Sequence, residues 1–151
     1  MLTALWPSHW SRPQRSNATL ITALLLMVVV VSLLGDLLSL MPEPIGDHAA
    51  EFADGARTTL YLTLISGAVG LLLGVFAALA RTSGNALLRS VSGAYIWIIR
   101  GTPLLVQILF MYFALPVLVP WLSLPDFAAA CVALSLNVGA YNAEAVRAGL
   151  N

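Results

Sequence analysis

Four polar side chains stand in otherwise apolar stretches of this 151-residue sequence. Asn137, Tyr141 and Glu144 follow one another at spacings of four and three residues, which places them on one face of a helix. Gln107 lies one turn into another apolar run and needs a hydrogen-bond partner there. Such groups in membrane helices usually face a bundle interior, a partner or a water-filled path. The four are therefore candidates for lining a translocation path. The alternative is a contact between helices, with Glu144 paired to Arg147.

The sequence gives little support for an enzymatic activity. A membrane-embedded enzyme needs a nucleophile, a base or metal ligands that converge on one point. His9 and His48 fall outside the apolar runs, and Glu144 has no second carboxylate nearby in the sequence. Residues 42–56 combine four carboxylates with His48, but a solvated acidic loop explains that composition better than a metal site. We therefore predict no catalytic residue, no metal site, no cofactor and no enzymatic activity.

The composition indicates that lipid is the main solvent of this chain. It is 60% apolar and 9% charged, with a mean hydropathy of +0.90, whereas soluble domains carry about 25% charged residues. The net charge is zero and lysine is absent, which excludes an electrostatic footprint for nucleic acid. Cys131 is the single cysteine, so an internal disulfide is excluded.

Apolar runs predict an all-α integral membrane protein with about four transmembrane helices. A helix of about 20 apolar residues crosses the hydrocarbon core. A cytoplasmic tail is predicted over residues 1–17, ahead of the first span. The predicted spans are residues 18–41, 57–80, 103–119 and 126–146. A cleaved signal peptide is the alternative for 18–41, but no A-x-A cleavage site follows, which favours a retained helix.

An amphipathic helix is predicted between the second and third spans, over residues 81–99. Its apolar residues recur with helical period, and arginines are spaced through it. Ser83, Gly84 and Asn85 supply the signal for its start. A helix lying in the cytoplasmic interface fits this pattern better than a span.

Small residues recur every four positions along the second span. They are Ser66, Gly70, Gly74 and Ala78. A smooth strip of this kind lets two helices approach closely in lipid. We therefore expect this face to pack on another helix.

Arginine placement predicts the orientation of the chain. With the N-terminus in the cytoplasm and four crossings, only Arg57 lies outside. The arginines that lie inside are Arg12, Arg15, Arg81, Arg89, Arg100 and Arg147. The positive-inside rule strongly favours this arrangement, which also puts the acidic segment outside.

The turn between the amphipathic helix and the third span is built from four residues. Gly101 allows a sharp bend, and Thr102 is predicted to cap the next helix at its amides. Pro103 follows at the first helical position, where its missing amide is harmless. Arg100 is expected at the membrane–water boundary, where its long stem reaches lipid phosphates.

Residues 100–107, RGTPLLVQ, resemble the motif near the middle of permease subunits of polar-amino-acid ABC importers of the histidine, glutamine and arginine type. Residues 58–64, 71–81 and 134–150 resemble further blocks of that family, in the same order and spacing. The resemblance extends over residues 57–151.

This resemblance implies the N-terminal part of a type I ABC importer permease fold, with a partial core domain at 57–151 and an additional helix at 18–41. It implies a multi-pass subunit of the inner (plasma) membrane that moves polar amino acids inward and performs no bond chemistry. The implied partners are a second permease subunit, identical or paralogous, ATP-binding cassette ATPase subunits that hydrolyse ATP, and a periplasmic or extracellular amino-acid-binding protein.

The C-terminal end departs from the family pattern. There, the stretch matched by Arg147-Ala148-Gly149-Leu150 runs on into a cytoplasmic loop that docks on the ATPase, and at least one span follows. The sequence stops at Asn151. A fragment or a truncated reading frame is the interpretation we favour. The alternative function is a non-transporting accessory or assembly subunit, or an inactive truncated protein.

Overall fold

The computed structural model describes residues 12–150. Most of the predicted tail, including His9, therefore lies outside the described residues. Within them, every regular element is helical, which confirms the all-α fold class. The helices are α1 (Arg12–Leu38), α2 (Ala49–Thr82), α3 (Ala86–Gly101), α4 (Leu104–Leu109), α5 (Leu115–Leu118) and α6 (Asp126–Leu150). A π-helix, Phe110–Ala114, joins α4 to α5, and 3-10 turns cover Gly46–His48 and Pro120–Leu122.

The chain divides into two compact units between Thr59 and Leu60, inside α2. In the first unit, small residues bring α1 and the start of α2 together. A Cβ placed on Gly35 would lie 3.4 Å from the Ala53 Cβ, an ordinary contact. Ala49 and Ala53 are buried. Contact between small residues is the expected way for helices to associate in lipid.

The acidic segment was predicted as a loop over residues 42–56, and most of it is helical instead. α2 begins at Ala49, eight residues before the predicted span. Alanine, the best helix former, recurs through this segment. Two pairs at three-residue spacing add support: His48 with Glu51 at 3.1 Å, and Arg57 with Asp54 at 3.1 Å. The four carboxylates of the segment are exposed, as expected of a solvated acidic face.

In the second unit, the rest of α2 packs on α6 through small residues. Ser66, Gly70, Gly74 and Ala78 are all buried. A Cβ on Gly70 would lie 2.7 Å from the Val138 side chain, and one on Gly74 would lie 2.6 Å from the Asn142 Cβ. The two backbones are therefore too close for any side chain at these glycines.

α3 begins where the sequence signal indicated. The Asn85 side chain accepts hydrogen bonds from the amides of Leu87 and Leu88, at 2.9 and 3.4 Å. The protein-facing side of α3 carries Ser92 and Ile96, both buried. Large apolar residues of the predicted stripe, such as Leu87, remain exposed. The apolar face of α3 is thus left for lipid or for a partner.

Two helices, at residues 16–38 and 46–82, are long and apolar enough to cross a membrane. α3 and the α4–α5 segment pass the same test together, as one element bent by 108°. α6 has 25 residues, a length of about 37 Å, but its polar residues keep it out of this group. Four crossings therefore stay a prediction for the described part of the chain.

Candidate functional site

The elbow between α3 and α4 is made by Thr102 and Pro103. Thr102 is extended, as the residue before a proline must be. Its hydroxyl donates to the carbonyls of Ile98 and Ile99, at 2.9 and 3.4 Å. It therefore closes the end of α3 and makes no cap on α4, contrary to the prediction.

The other elbow residues also sit differently from the prediction. Pro103 precedes the first helical residue, Leu104, and its carbonyl accepts the Val106 amide at 3.0 Å. Gly101 is the last residue of α3, and no described glycine has a positive φ. The bend thus arises from the extended Thr102–Pro103 pair, without any conformation reserved for glycine.

Gln107 ties three elements together. Its side chain is buried, and its Nε2 donates to the carbonyl of Ile99 at 2.7 Å and to that of Thr102 at 3.0 Å. The same nitrogen also donates to the Thr102 hydroxyl, at 3.0 Å. Its Oε1 accepts a hydrogen bond from Asn137 Nδ2 at 3.3 Å. The end of α3, the elbow and α6 therefore meet at one amide, which supplies the partner that the sequence required.

Tyr141 and Glu144 belong to a second, charged cluster further along α6. Glu144 Oε2 accepts from Arg147 Nη2 at 2.8 Å and from its Nε at 3.2 Å. Arg100 Nη1 lies 4.0 Å from the same oxygen, and the Arg100 guanidinium lies 5.2 Å from the Tyr141 ring centre. Cation–π contact and ion pairing therefore hold Arg100 against α6. The predicted pairing of Glu144 with Arg147 is observed.

The four path candidates thus separate into two groups. Gln107 and Asn137 form a direct contact, while Tyr141 and Glu144 surround Arg100. Glu144 lies seven positions after Asn137, which is about 10 Å along a helix. The amide groups therefore lie at one position along α6, and the charged groups lie further along the same helix.

Tyr95 is a site residue that the sequence analysis missed. Its hydroxyl donates to the Leu136 carbonyl at 2.7 Å, next to Asn137. A Cβ on Gly139 would lie 2.7 Å from that hydroxyl. Ser92 anchors the same helix to α2 by donating to the Ala77 carbonyl at 2.7 Å. No local sequence signal marks this contact, because Tyr95 and Leu136 are 41 positions apart.

Two cavities adjoin these groups. One of about 290 Å³ is lined by Gln107 and by apolar residues that include Phe110 of the π-helix and Leu136. The other, about 400 Å³, is lined by Arg81, Arg100 and Glu144. Among residues 12–150, no three or more His, Cys, Asp or Glu side chains are grouped so that they could hold a metal ion.

The known proteins that this chain resembles are permeases of amino-acid transport systems. The chain is 43% identical over 94 residues to the glutamine transport system permease protein GlnP of Escherichia coli K12, covering 62% of this chain and 43% of the relative. It is 39% identical over 98 residues to the arginine transport system permease protein ArtQ of Bacillus subtilis, covering 65% and 44%.

A solved structure agrees with these relatives. It is described as an amino acid ABC transporter with histidines, and it is 43% identical with a TM-score of 0.57, over 60% of this chain and 42% of that chain. No protein-family model matches the chain. The chain spans less than half the length of the relatives it matches. The resemblance predicted from the motifs is nevertheless confirmed, and the chain is an all-α membrane protein similar to these permeases.

Proposed function

We propose that this chain supplies part of the translocation path of an ATP-driven importer of polar amino acids. The 43% identity to a glutamine permease over 94 residues carries this proposal. The relatives reported above are all named permeases, which favours transport over the accessory role. The permease breaks no bond in this scheme. Separate ATPase subunits hydrolyse ATP, and a second permease subunit completes the pore.

In this scheme, Gln107 and Asn137 line the path. Their mutual hydrogen bond is 3.3 Å long and links two different helices, α4 and α6. A polar amino acid carries donors and acceptors that can replace such a bond as it passes. Because a buried amide without a partner is destabilised by about 1–3 kcal/mol, the pair would re-form once the substrate has left.

The charged cluster stands at the inner mouth of the path. The positive-inside rule puts Arg100 and Arg147 on the cytoplasmic side of an inner membrane, with the N-terminus also cytoplasmic. The acidic residues around Asp47 then face outward, where a binding protein would deliver the substrate. Tyr141 and Glu144 hold Arg100 at that mouth, through the contacts of 5.2 and 4.0 Å.

A chimera tests the proposal. This whole chain replaces the matching part of the E. coli glutamine permease, in cells that lack their own copy and retain its partners. We expect ATP-dependent glutamine uptake in the chimera, and a loss of about tenfold or more with Asn137→Leu, since an interaction of about 1.4 kcal/mol corresponds to a factor of ten. Val132→Leu, on an exposed position of the same helix, is the matched control. A chimera that assembles in the membrane with its partners and yet transports nothing would refute the proposal.

A further inference from the structure

The pocket of about 400 Å³ is lined by residues of three helices. Arg81 comes from the end of α2, Gly93, Trp97 and Arg100 come from α3, and Glu144 comes from α6. All of them lie in the second compact unit. Cations thus dominate the polar lining of the pocket.

Both pocket arginines keep most of their hydrogen-bond donors unused. Arg81 donates one hydrogen bond, from Nη1 to the Arg89 carbonyl at 3.2 Å. Arg100 donates none to any residue the structure describes, since Glu144 is 4.0 Å away. A guanidinium has five N–H donors in a planar fork that matches carboxylate and phosphate oxygens. Most of the arginine donors at the pocket therefore have no acceptor among the residues that the structure describes.

Arg147 engages one oxygen of the one carboxylate in the pocket lining. Glu144 Oε2 receives two hydrogen bonds from Arg147, at 2.8 and 3.2 Å. Counting Arg81, Arg100 and Arg147 against Glu144 leaves a surplus of positive charge. Like charges held together repel one another. An anion seated between Arg81 and Arg100 would relieve that repulsion.

Gly93 makes room for Arg81 in this arrangement. A Cβ on Gly93 would lie 2.8 Å from Arg81 Nη1 and 3.0 Å from its Cζ. The guanidinium therefore crosses α3 at a position without a side chain, which keeps it at the pocket. Placement of a second cation beside Arg100 is thus built into the packing of α2 against α3.

We propose that this pocket binds a phosphate oxyanion, supplied in the membrane by the headgroup of an anionic phospholipid. The surroundings favour lipid over free phosphate. Trp97, which lines the pocket, is 78% exposed, and tryptophan is enriched at membrane interfaces. Other positions of α3 expose Leu87, Val91 and Ile98, which suits a helix in contact with acyl chains. The site goes beyond the proposed transport function and does not rest on it.

Lipid binding to the purified full chain tests the site. Native mass spectrometry would compare phosphatidylglycerol, which is anionic, with phosphatidylcholine, which is zwitterionic. We expect tighter binding of phosphatidylglycerol, and a loss of about tenfold or more in its affinity with Arg81→Gln or Arg100→Gln, because each change removes charge-assisted hydrogen bonds to the headgroup. Arg89→Gln removes the same charge from an exposed position outside the pocket lining and is the matched control.

Gly93→Ala provides a second variant that leaves every charge in place. It should weaken phosphatidylglycerol binding severalfold by displacing Arg81. Gly67→Ala is its control, because a Cβ on Gly67 meets nothing within 4 Å. Circular dichroism on each variant establishes that the helices are retained.

Several results would overturn the proposal. One is equal affinity for the two lipids, and another is a loss with Arg89→Gln as large as with Arg81→Gln. Inorganic phosphate distinguishes the sources. Displacement of phosphatidylglycerol only at phosphate concentrations far above those of the lipid supports a lipid headgroup. Arginine-dependent binding of phosphate alone, as tight as that of the lipid, would overturn the lipid assignment.

Discussion

A single buried amide determines how the elbow is held. Gln107 reaches back across the bend to the Ile99 and Thr102 carbonyls and sideways to Asn137. An apolar residue of the same size would remove the hydrogen bonds to the Thr102 carbonyl and from Asn137, while the Ile99 carbonyl would keep only the Thr102 hydroxyl at 3.4 Å. The Gln107 side chain therefore stabilises the elbow, and it is also a proposed part of the translocation path.

A double-mutant cycle on Gln107 and Asn137 measures this contact. Gln107→Leu should lower the free energy of unfolding by about 1–3 kcal/mol, because it leaves buried polar groups unsatisfied. The Gln107→Leu/Asn137→Leu double variant should lose less stability than the two single variants lose in sum. The difference should be about 0.6 kcal/mol, the average for hydrogen bonds between membrane helices. The measurement is unfolding of the detergent-solubilised chain in sodium dodecyl sulphate, followed by circular dichroism. Strict additivity of the two losses would contradict the contact.

Arg100 offers a second test at this scale. Arg100→Glu would place a carboxylate close to Glu144, which now lies 4.0 Å from Arg100 Nη1. We expect a loss of about 1 kcal/mol, by like-charge repulsion at a partly exposed site, and less chain assembled in the membrane. Arg89→Glu makes the same charge change on an exposed position of α3. The two variants should differ in the amount assembled and in the unfolding midpoint, and equal behaviour would count against a specific role for Arg100.

At the scale of elements, small residues set the distance between α2 and α6. Gly74→Ala would place a Cβ 2.6 Å from the Asn142 Cβ and 3.0 Å from the Gly139 carbonyl oxygen. The helices would have to separate, at a loss of about 1–3 kcal/mol.

Gly67→Ala is the control in the same helix, since its Cβ meets open space. That change should be neutral or stabilise by about 0.5–1 kcal/mol, because alanine is a better helix former than glycine. Thermal unfolding of both variants in detergent separates the outcomes. A Gly74→Ala protein as stable as the Gly67→Ala protein would show that α2 and α6 are not in close contact.

The sequence alone predicted a packing face and a helix start correctly where one local rule governs them. The four-residue spacing of Ser66, Gly70, Gly74 and Ala78 picked out the strip that is buried. Asn85 gave the start of α3, because an N-cap depends only on its neighbours.

The sequence was less informative where two rules compete or where distant residues meet. Thr102 fits a cap by residue type, yet Pro103 is itself extended and α4 begins only at Leu104. Thr102 therefore lies one position too early to cap α4, and its hydroxyl donates to α3. Carboxylates at 43–54 indicated a loop, while the alanines among them favour the helix that forms. The Gln107–Asn137 bond joins residues 30 positions apart, so only tertiary packing reveals it.

At the scale of the whole molecule, the described helices suit a membrane and resemble permeases of amino-acid transport. Two described helices qualify as spans by length and composition, and the bent α3 and α4–α5 pair adds a third only if its two arms are counted as one span. Other helices cover the face of α6 that carries buried Ala140 and Ala143, while Tyr141 on its polar face stays exposed. The path, the inner mouth and the anion pocket all require one orientation, with the elbow on the cytoplasmic side.

Cysteine accessibility in intact cells tests that orientation most directly. In a Cys131→Ala background, single cysteines replace Asp47 and Arg89, both exposed. We expect a membrane-impermeant maleimide to label the Asp47→Cys protein in intact cells, and to label the Arg89→Cys protein only after the membrane is opened. Labelling of the Arg89→Cys protein from outside, or protection of the Asp47→Cys protein until permeabilisation, would show that this orientation is wrong.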